Sequence, residues 1–129
     1  MDADAFNTAL AAMAARVATA SADIAIKGAL TIQAAAMGNL HTGYGVVSGT
    51  MRRSIHSSGP FPSGEGAFTA WVSPGVIYAR RFELGYRGPD SLGRVFNQRP
   101  RPFFKPAASS QVPLIQAYAA RTWAAAIGG

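Results

Sequence analysis

Two histidines, six carboxylates and no cysteine are what this 129-residue sequence offers for ligating a metal, attacking a carbonyl or moving a proton. The lack of cysteine removes disulfides, thiolate metal sites and cysteine nucleophiles together. His41 and His56 lie in or beside segments that read as flexible, and neither has a carboxylate at metal-ligand spacing. Gly43-x-Gly45-x-x-Ser48 lacks the third glycine of a dinucleotide fingerprint, with no strand before it and no helix carrying a suitable acidic residue after it. Val47-Ser48-Gly49 lacks the glycine that a nucleophile elbow places two residues before the serine. Glu83 follows Arg80 and Arg81, which would hold it ionised, the opposite of what a general acid requires. Its predicted role is an ion pair that fixes a turn or a subunit contact. This inventory predicts no enzyme, no metal site and no cofactor.

What remains is charge and aromatic surface. The formal charge is +6, from 12 Lys+Arg against 6 Asp+Glu, and nine of the twelve cations lie between Arg52 and Lys105. Tyr78, Phe82, Tyr86, Phe96, Phe103 and Phe104 are interleaved with them. Such a cluster fits either an interface with other proteins or a nucleic-acid-binding surface. Against the second stands the absence of a helix-turn-helix, zinc-finger or ribonucleoprotein motif.

Length predicts one domain with its own core, divided here into an N-terminal helix over 1–40, sheet and loops over 50–105, and a C-terminal helix over 106–129. The class is α+β. In the first segment Asp2 or Asp4 can cap a helix from residue 3 to about 37, along which Phe6, Leu10, Met13, Val17 and Ile24 recur at helical spacing. Gly28 predicts a bend or break. Alanine-rich faces carry little apolar area, so this helix needs close packing, within the chain or against a neighbouring subunit. Residues 38–50 read as a flexible connection. Met51 to Ser54 can form a helical turn, Ile55 to Ser58 a first strand, Gly59 to Gly64 a turn, and Ala67 to Ser73 the second strand of a hairpin. On that second strand Phe68, Ala70 and Val72 share one face and Trp71 stands on the other, as a sheet-face contact or an interface anchor.

From Val76 to Gly85 alternation allows a strand that would carry Arg80 among apolar residues. The favoured reading is a helical turn, with Tyr78 on Phe82, Ile77 on Leu84, Arg80 paired to Glu83, and Gly85 as the left-handed residue closing it. Tyr86 to Gln98 reads as a loop. Pro100, Pro102 and Pro106 make the segment bearing Phe103 and Phe104 extended, with a helix starting at Pro106-Ala107. Pro113 predicts a kink or restart in that helix, beyond which Ile115, Ala119, Trp123 and Ala126 form an apolar stripe.

Tyr78-Ala79, then Phe82-Glu83-Leu84-Gly85, then Arg101-Pro102-Phe103-Phe104-Lys105-Pro106-Ala107 resemble the "YA…vEfG…PFlrPA" pattern of the neck and tail-completion proteins of long-tailed bacteriophages. Val47 to Ile55 resembles that family's "TGxLrrSI" segment, with Ser48 in place of threonine, and Tyr86 to Gln98 is long for the connection after "EfG". The resemblance implies a structural virion protein that forms a ring, usually six-fold, joining the portal-connector complex to the tail tube. It implies other connector and tail-tube proteins as partners and a virion location, with assembly in the host cytoplasm. The interface candidates are Arg52, Arg53, Tyr78, Arg80, Arg81, Phe82, Glu83, Phe96, Arg99, Arg101, Phe103 and Phe104. Some of the arginines would face a lumen and touch DNA without sequence preference, others would pair with neighbours, and simple solvated charge is the alternative.

Acidic residues at the start argue against a signal peptide. No run of 18 strongly apolar residues occurs, and the uncharged run from Gly28 to Met51 contains Gln33, Asn39, His41 and Thr42, which are costly in lipid. The expectation is a protein without a membrane partner.

Overall fold

The computed structural model describes residues 2–41, 49–89 and 91–128, and of Phe96 the backbone alone. In chain order the elements are α1 (Ala3–Asn39), α2 (Thr50–Ser54), β1 (His56–Gly64), β2 (Ala67–Ser73), α3 (Ala79–Leu84), β3 (Tyr86–Pro89), β4 (Val95–Gln98) and α4 (Phe104–Gly128). The α+β class is as predicted, with a long helix at each end and antiparallel pairs between. Of the connection expected at 38–50, Gly38 and Asn39 belong to α1 and Thr50 to α2, while residues 42–48, which hold most of the glycine and serine motifs, lie outside the described residues.

Asp2 caps α1, its Oδ1 accepting the Ala5 N–H at 2.7 Å. The helix then runs through Gly28 without the break that was one of the two expectations there. Gly28 faces α4, where a Cβ would meet Ile115 Cγ2 at 3.4 Å, an ordinary van der Waals contact. α4 also departs from expectation at two places. It begins at Phe104, two residues before the predicted start, and it continues through Pro113 without ending there. Pro113 removes one intrahelical hydrogen bond, and the helix persists because Ala107 before it and Ala119 beyond it are both buried.

Both hairpins differ from the sequence reading in extent. Gly59 to Gly64, expected as a turn, belong to β1, and the reversal is at Glu65-Gly66, two residues that permit only an antiparallel return. Gly59 has φ +111°, and a Cβ there would lie 3.0 Å from the Thr69 carbonyl oxygen, so the two strands touch backbone to backbone. Tyr86 to Gln98, expected as a loop, is largely a second hairpin, with Tyr86 opposite Gln98, Arg87 opposite Asn97, Gly88 opposite Phe96 and Pro89 opposite Val95. Gly88, Pro89 and Gly93 masked the strands in the sequence, because they are turn formers placed at the ends of a ladder of four residues per strand.

The chain expected to form one domain groups into two compact units, each assembled from separated segments. The first comprises Met1–Leu30, Ser57–Trp71 and Val112–Gly129. In it α1 and α4 run antiparallel: Arg16 Nε donates to the Ala126 carbonyl at 2.9 Å, Trp123 Nε1 to Ser21 Oγ at 3.0 Å, and the Tyr118 hydroxyl to Asp23 Oδ2. The Asp23 carboxylate, accepting that hydrogen bond, raises the Tyr118 phenol above its usual pKa. Lys27 Nζ lies 5.7 Å from the centre of the Tyr118 ring. The buried apolar residues of this unit are Ala20, Ile24, Ala29 and Ala119, so among its described residues Ile24 is the one large side chain in the core. Phe68 and Ala70 are half-buried as the alternation predicted, while Trp71 is 64% exposed.

The second unit comprises Thr31–His56 and Val72–Gln111. Its core joins Ala36 of α1 and Leu40 just after it, Met51 and Ile55 at α2, Ala79 and Phe82 of α3, and Phe103 and Ala107 at the start of α4. Val72 and Val76 pack on its edge. Leu40 and Phe103 have almost no solvent contact, and burying a side chain such as Phe103 stabilises by about 1.5–3 kcal/mol.

One helix, α1, is long and apolar enough to cross a membrane, with a mean hydropathy of 1.4 over its best 18 residues. Alanine shares that average with Leu10, Met13, Val17, Ile24 and Ile26. Arg16, Asp23 and Lys27 lie within the same helix, and a charge of this kind costs about 2.5–3.5 kcal/mol at a bilayer centre.

Candidate functional site

The segment from Tyr78 to Lys105 builds one continuous structure on the core of the second unit. α3 places Ala79 and Phe82 inward, and the Phe82 ring meets Phe103 edge to face at 5.7 Å. Phe103 in turn meets Phe104 at 6.3 Å and 86°. The predicted helical turn is present, but its side chains are arranged differently from the expectation. Phe82 packs on Phe103 and is buried, whereas Ile77 is fully exposed and Leu84 62% exposed, so no Ile77–Leu84 contact forms the core.

Gly85 ends α3 at φ +77° and ψ 171°, an extended left-handed conformation different from the helical left-handed one predicted for it. A Cβ at this position would lie 2.8 Å from the Gln98 carbonyl oxygen and 2.9 Å from the Pro100 nitrogen. The chain can therefore turn from α3 into β3 against the returning strand only at a glycine.

Glu83 is the pivot. Its Oε2 accepts the N–H groups of Phe103 at 2.7 Å and Phe104 at 3.0 Å, and its Oε1 accepts that of Lys105 at 2.9 Å. The next residue is Pro106, which has no N–H, so the free amides at the start of α4 are all accounted for by one carboxylate and one proline. Burial alone would raise the pKa of this carboxylate. The three backbone donors and the nearby Lys105 charge outweigh burial and bring it below the ordinary value. The predicted ion pair to Arg80 is thus replaced by a helix cap reaching across 20 or more residues of sequence. Arg101 N–H to the Phe82 carbonyl at 2.8 Å and Asn39 Nδ2 to the Phe103 carbonyl at 2.9 Å fix the same junction.

Over this frame lie the arginines. The Arg81 guanidinium carbon sits 4.0 Å from the centre of the Tyr86 ring, and the Tyr86 hydroxyl donates to the Pro89 carbonyl at 2.6 Å, which holds that ring in place. Across the ladder Arg87 Nε donates to Asn97 Oδ1 at 3.1 Å. Arg101 stands 5.9 Å from the Phe82 ring centre. Leu84 to Arg87 and Asn97 to Pro100 line an open cleft of about 510 Å³ between the end of α3 and the base of the second hairpin.

The predicted candidates separate into two kinds. Phe82 and Phe103 are core residues with no surface to offer a partner, and Glu83 is committed to the α4 cap. Tyr78, Arg80, Arg81, Arg99 and Arg101 are exposed around that core, Phe104 is half-buried, and Arg52 and Arg53 are exposed on α2. The side chain of Phe96 lies outside the described residues. Sequence reasoning did not single out Arg87 or Asn97, since a segment read as a loop gave no reason to look for a cross-strand pair. His56 Nδ1–H bonds the Ser54 carbonyl at 3.0 Å. Among the described residues no three of His, Asp and Glu come together as metal ligands.

Compared with known proteins, the chain matches no family model, no curated protein and no solved structure.

Proposed function

We propose that this protein is a structural virion component that assembles with copies of itself into a ring at the head–tail junction of a long-tailed phage, joining the portal-connector complex to the tail tube. The observation that carries self-assembly is the free end of α1. Arg16 donates to the Ala126 carbonyl of α4, and the turns of α1 before it are exposed. Residues 2–12 are exposed throughout, including Phe6 at 56% and Leu10 at 47%. An isolated helix of this length is marginal in water. Packing against a neighbouring copy supplies the missing partner and hides apolar side chains on α4 that are also exposed, Leu114 and Ile127.

The place in the virion rests on the resemblance, and the two segments that carry it support the reading in one respect. The Phe82-Glu83 and Phe103-to-Ala107 motifs are joined by the Glu83 cap, so their shared presence has a physical reason. The six-fold number comes from the resemblance alone. Native mass spectrometry and negative-stain microscopy of the purified chain test the assembly, with closed rings expected. A protein that stays monomeric at micromolar concentration and occurs as a single copy in reconstructed particles would overturn the reading.

A further inference from the structure

We propose that the cleft at the base of the β3–β4 hairpin is a binding site for the phosphodiester backbone of nucleic acid, with Arg87 and Arg99 as its principal ligands and Arg81 and Arg101 extending it. This site does not depend on the ring.

Three features of the cleft favour phosphate. First, Arg87 and Arg99 line the cleft and no acid does, within a stretch, residues 80–105, that holds seven of the twelve Lys and Arg residues. Glu83 is turned onto the amides of Phe103, Phe104 and Lys105, so it leaves the cleft to donors. Second, the guanidinium groups are held by partners that keep their charge uncompensated. Arg81 lies on the Tyr86 ring at 4.0 Å, and Arg87 uses Nε on the neutral Asn97 amide at 3.1 Å, which leaves its terminal nitrogens for a ligand. A guanidinium pre-set in this way loses less freedom on binding and offers the planar fork that suits a phosphate. Third, the cleft is open and about 510 Å³ in volume. Arg87 and Asn97 are cross-strand partners on one face of the ladder, and Arg99 follows two residues after Asn97, so two arginines line the cleft. A cleft lined by two arginines and by no acid suits a phosphodiester, and nothing in it selects a base.

The test is fluorescence anisotropy of the full-length protein with a labelled mixed-sequence duplex of about 20 base pairs, titrated from about 50 to about 200 mM NaCl. Three proteins are compared: wild type, Arg87→Ser/Arg99→Ser, and Arg16→Ser/Arg121→Ser, the last losing the same charge from the first unit. The cleft variant is expected to bind roughly tenfold or more weakly and to lose about two from the slope of log affinity against log salt, while the control stays within about twofold of wild type. Arg87→Lys/Arg99→Lys should fall between them, since it keeps charge and loses the fork. Circular dichroism melting confirms that each variant is folded, and if the serine variant is not, the lysine variant decides by whether its binding is weakened. Equal weakening by the two serine pairs would show that net charge alone attracts DNA and would overturn the proposal. So would equal or tighter binding, at the same ionic strength, of polyglutamate or of phosphatidylglycerol vesicles, which would assign the cleft to an acidic protein or to a membrane.

Discussion

The two compact units use the same two helices in opposite ways. In the second unit, Leu40 just after α1 and Phe103 just before α4 are almost completely enclosed, with Phe82, Met51 and Ile55 packed around them. In the first unit the same helices meet through Ala20, Ala29, Ala119 and Ile24, and leave Phe6, Leu10, Leu114 and Ile127 facing solvent. The polar ties there, Arg16 to Ala126, Ser21 to Trp123 and Asp23 to Tyr118, set the register of the pair without adding a core. Small residues allow close approach but bury little area, so one unit has an enclosed core and the other leaves large apolar side chains exposed.

The strongest challenge to this contrast is Phe103→Ala, expected to cost about 3–5 kcal/mol in urea denaturation because an enclosed aromatic side chain leaves a cavity behind. A loss below about 1 kcal/mol would mean the second unit does not rest on this enclosed core. Gly85→Ala should cost roughly 1–3 kcal/mol or more, since the residue sits at positive φ against the backbone of Gln98 and Pro100. Full stability in that variant would show that the α3–β3 turn can re-form elsewhere.

Glu83→Gln is expected to be milder, about 0.5–2 kcal/mol at neutral pH, through loss of an ionised acceptor for the α4 amides. It also carries a pH signature. The folded-state pKa of Glu83 lies below the ordinary value of 4.5, so its contribution is fully present above that value and is lost as pH falls through the folded pKa. Denaturation midpoints of wild type and variant should therefore converge on acidification, and a constant gap between them down to low pH would count against the cap. Smallest in the monomer, and most telling about the first unit, is Phe6→Ser/Leu10→Ser: a change within about 0.5 kcal/mol in monomer stability together with a loss of assembled mass. Unchanged assembly would leave the free end of α1 without a role in self-association.

Much of the plan is legible in local sequence. The α1 cap at Asp2, the hairpin strand from Ala67 to Ser73, the helical turn at Ala79 to Leu84 and the terminal helix each follow from neighbours within a few residues. Of the bend or break expected at Gly28 and the kink or restart expected at Pro113, the break and the restart do not occur. Gly88-Pro89 read as loop because a residue's own preference was taken where a cross-strand partner decided.

The sequence by itself determined the α+β class, the concentration of arginine between residues 80 and 105, and the absence of cysteine chemistry, since these depend on composition and short-range pattern. Only the tertiary structure decided that Glu83 caps α4, that Arg87 is held by Asn97, and that the first turns of α1 are exposed. A cap across 20 residues and a register across two strands are set by packing in three dimensions, and neither leaves a period in the chain that could be read beforehand.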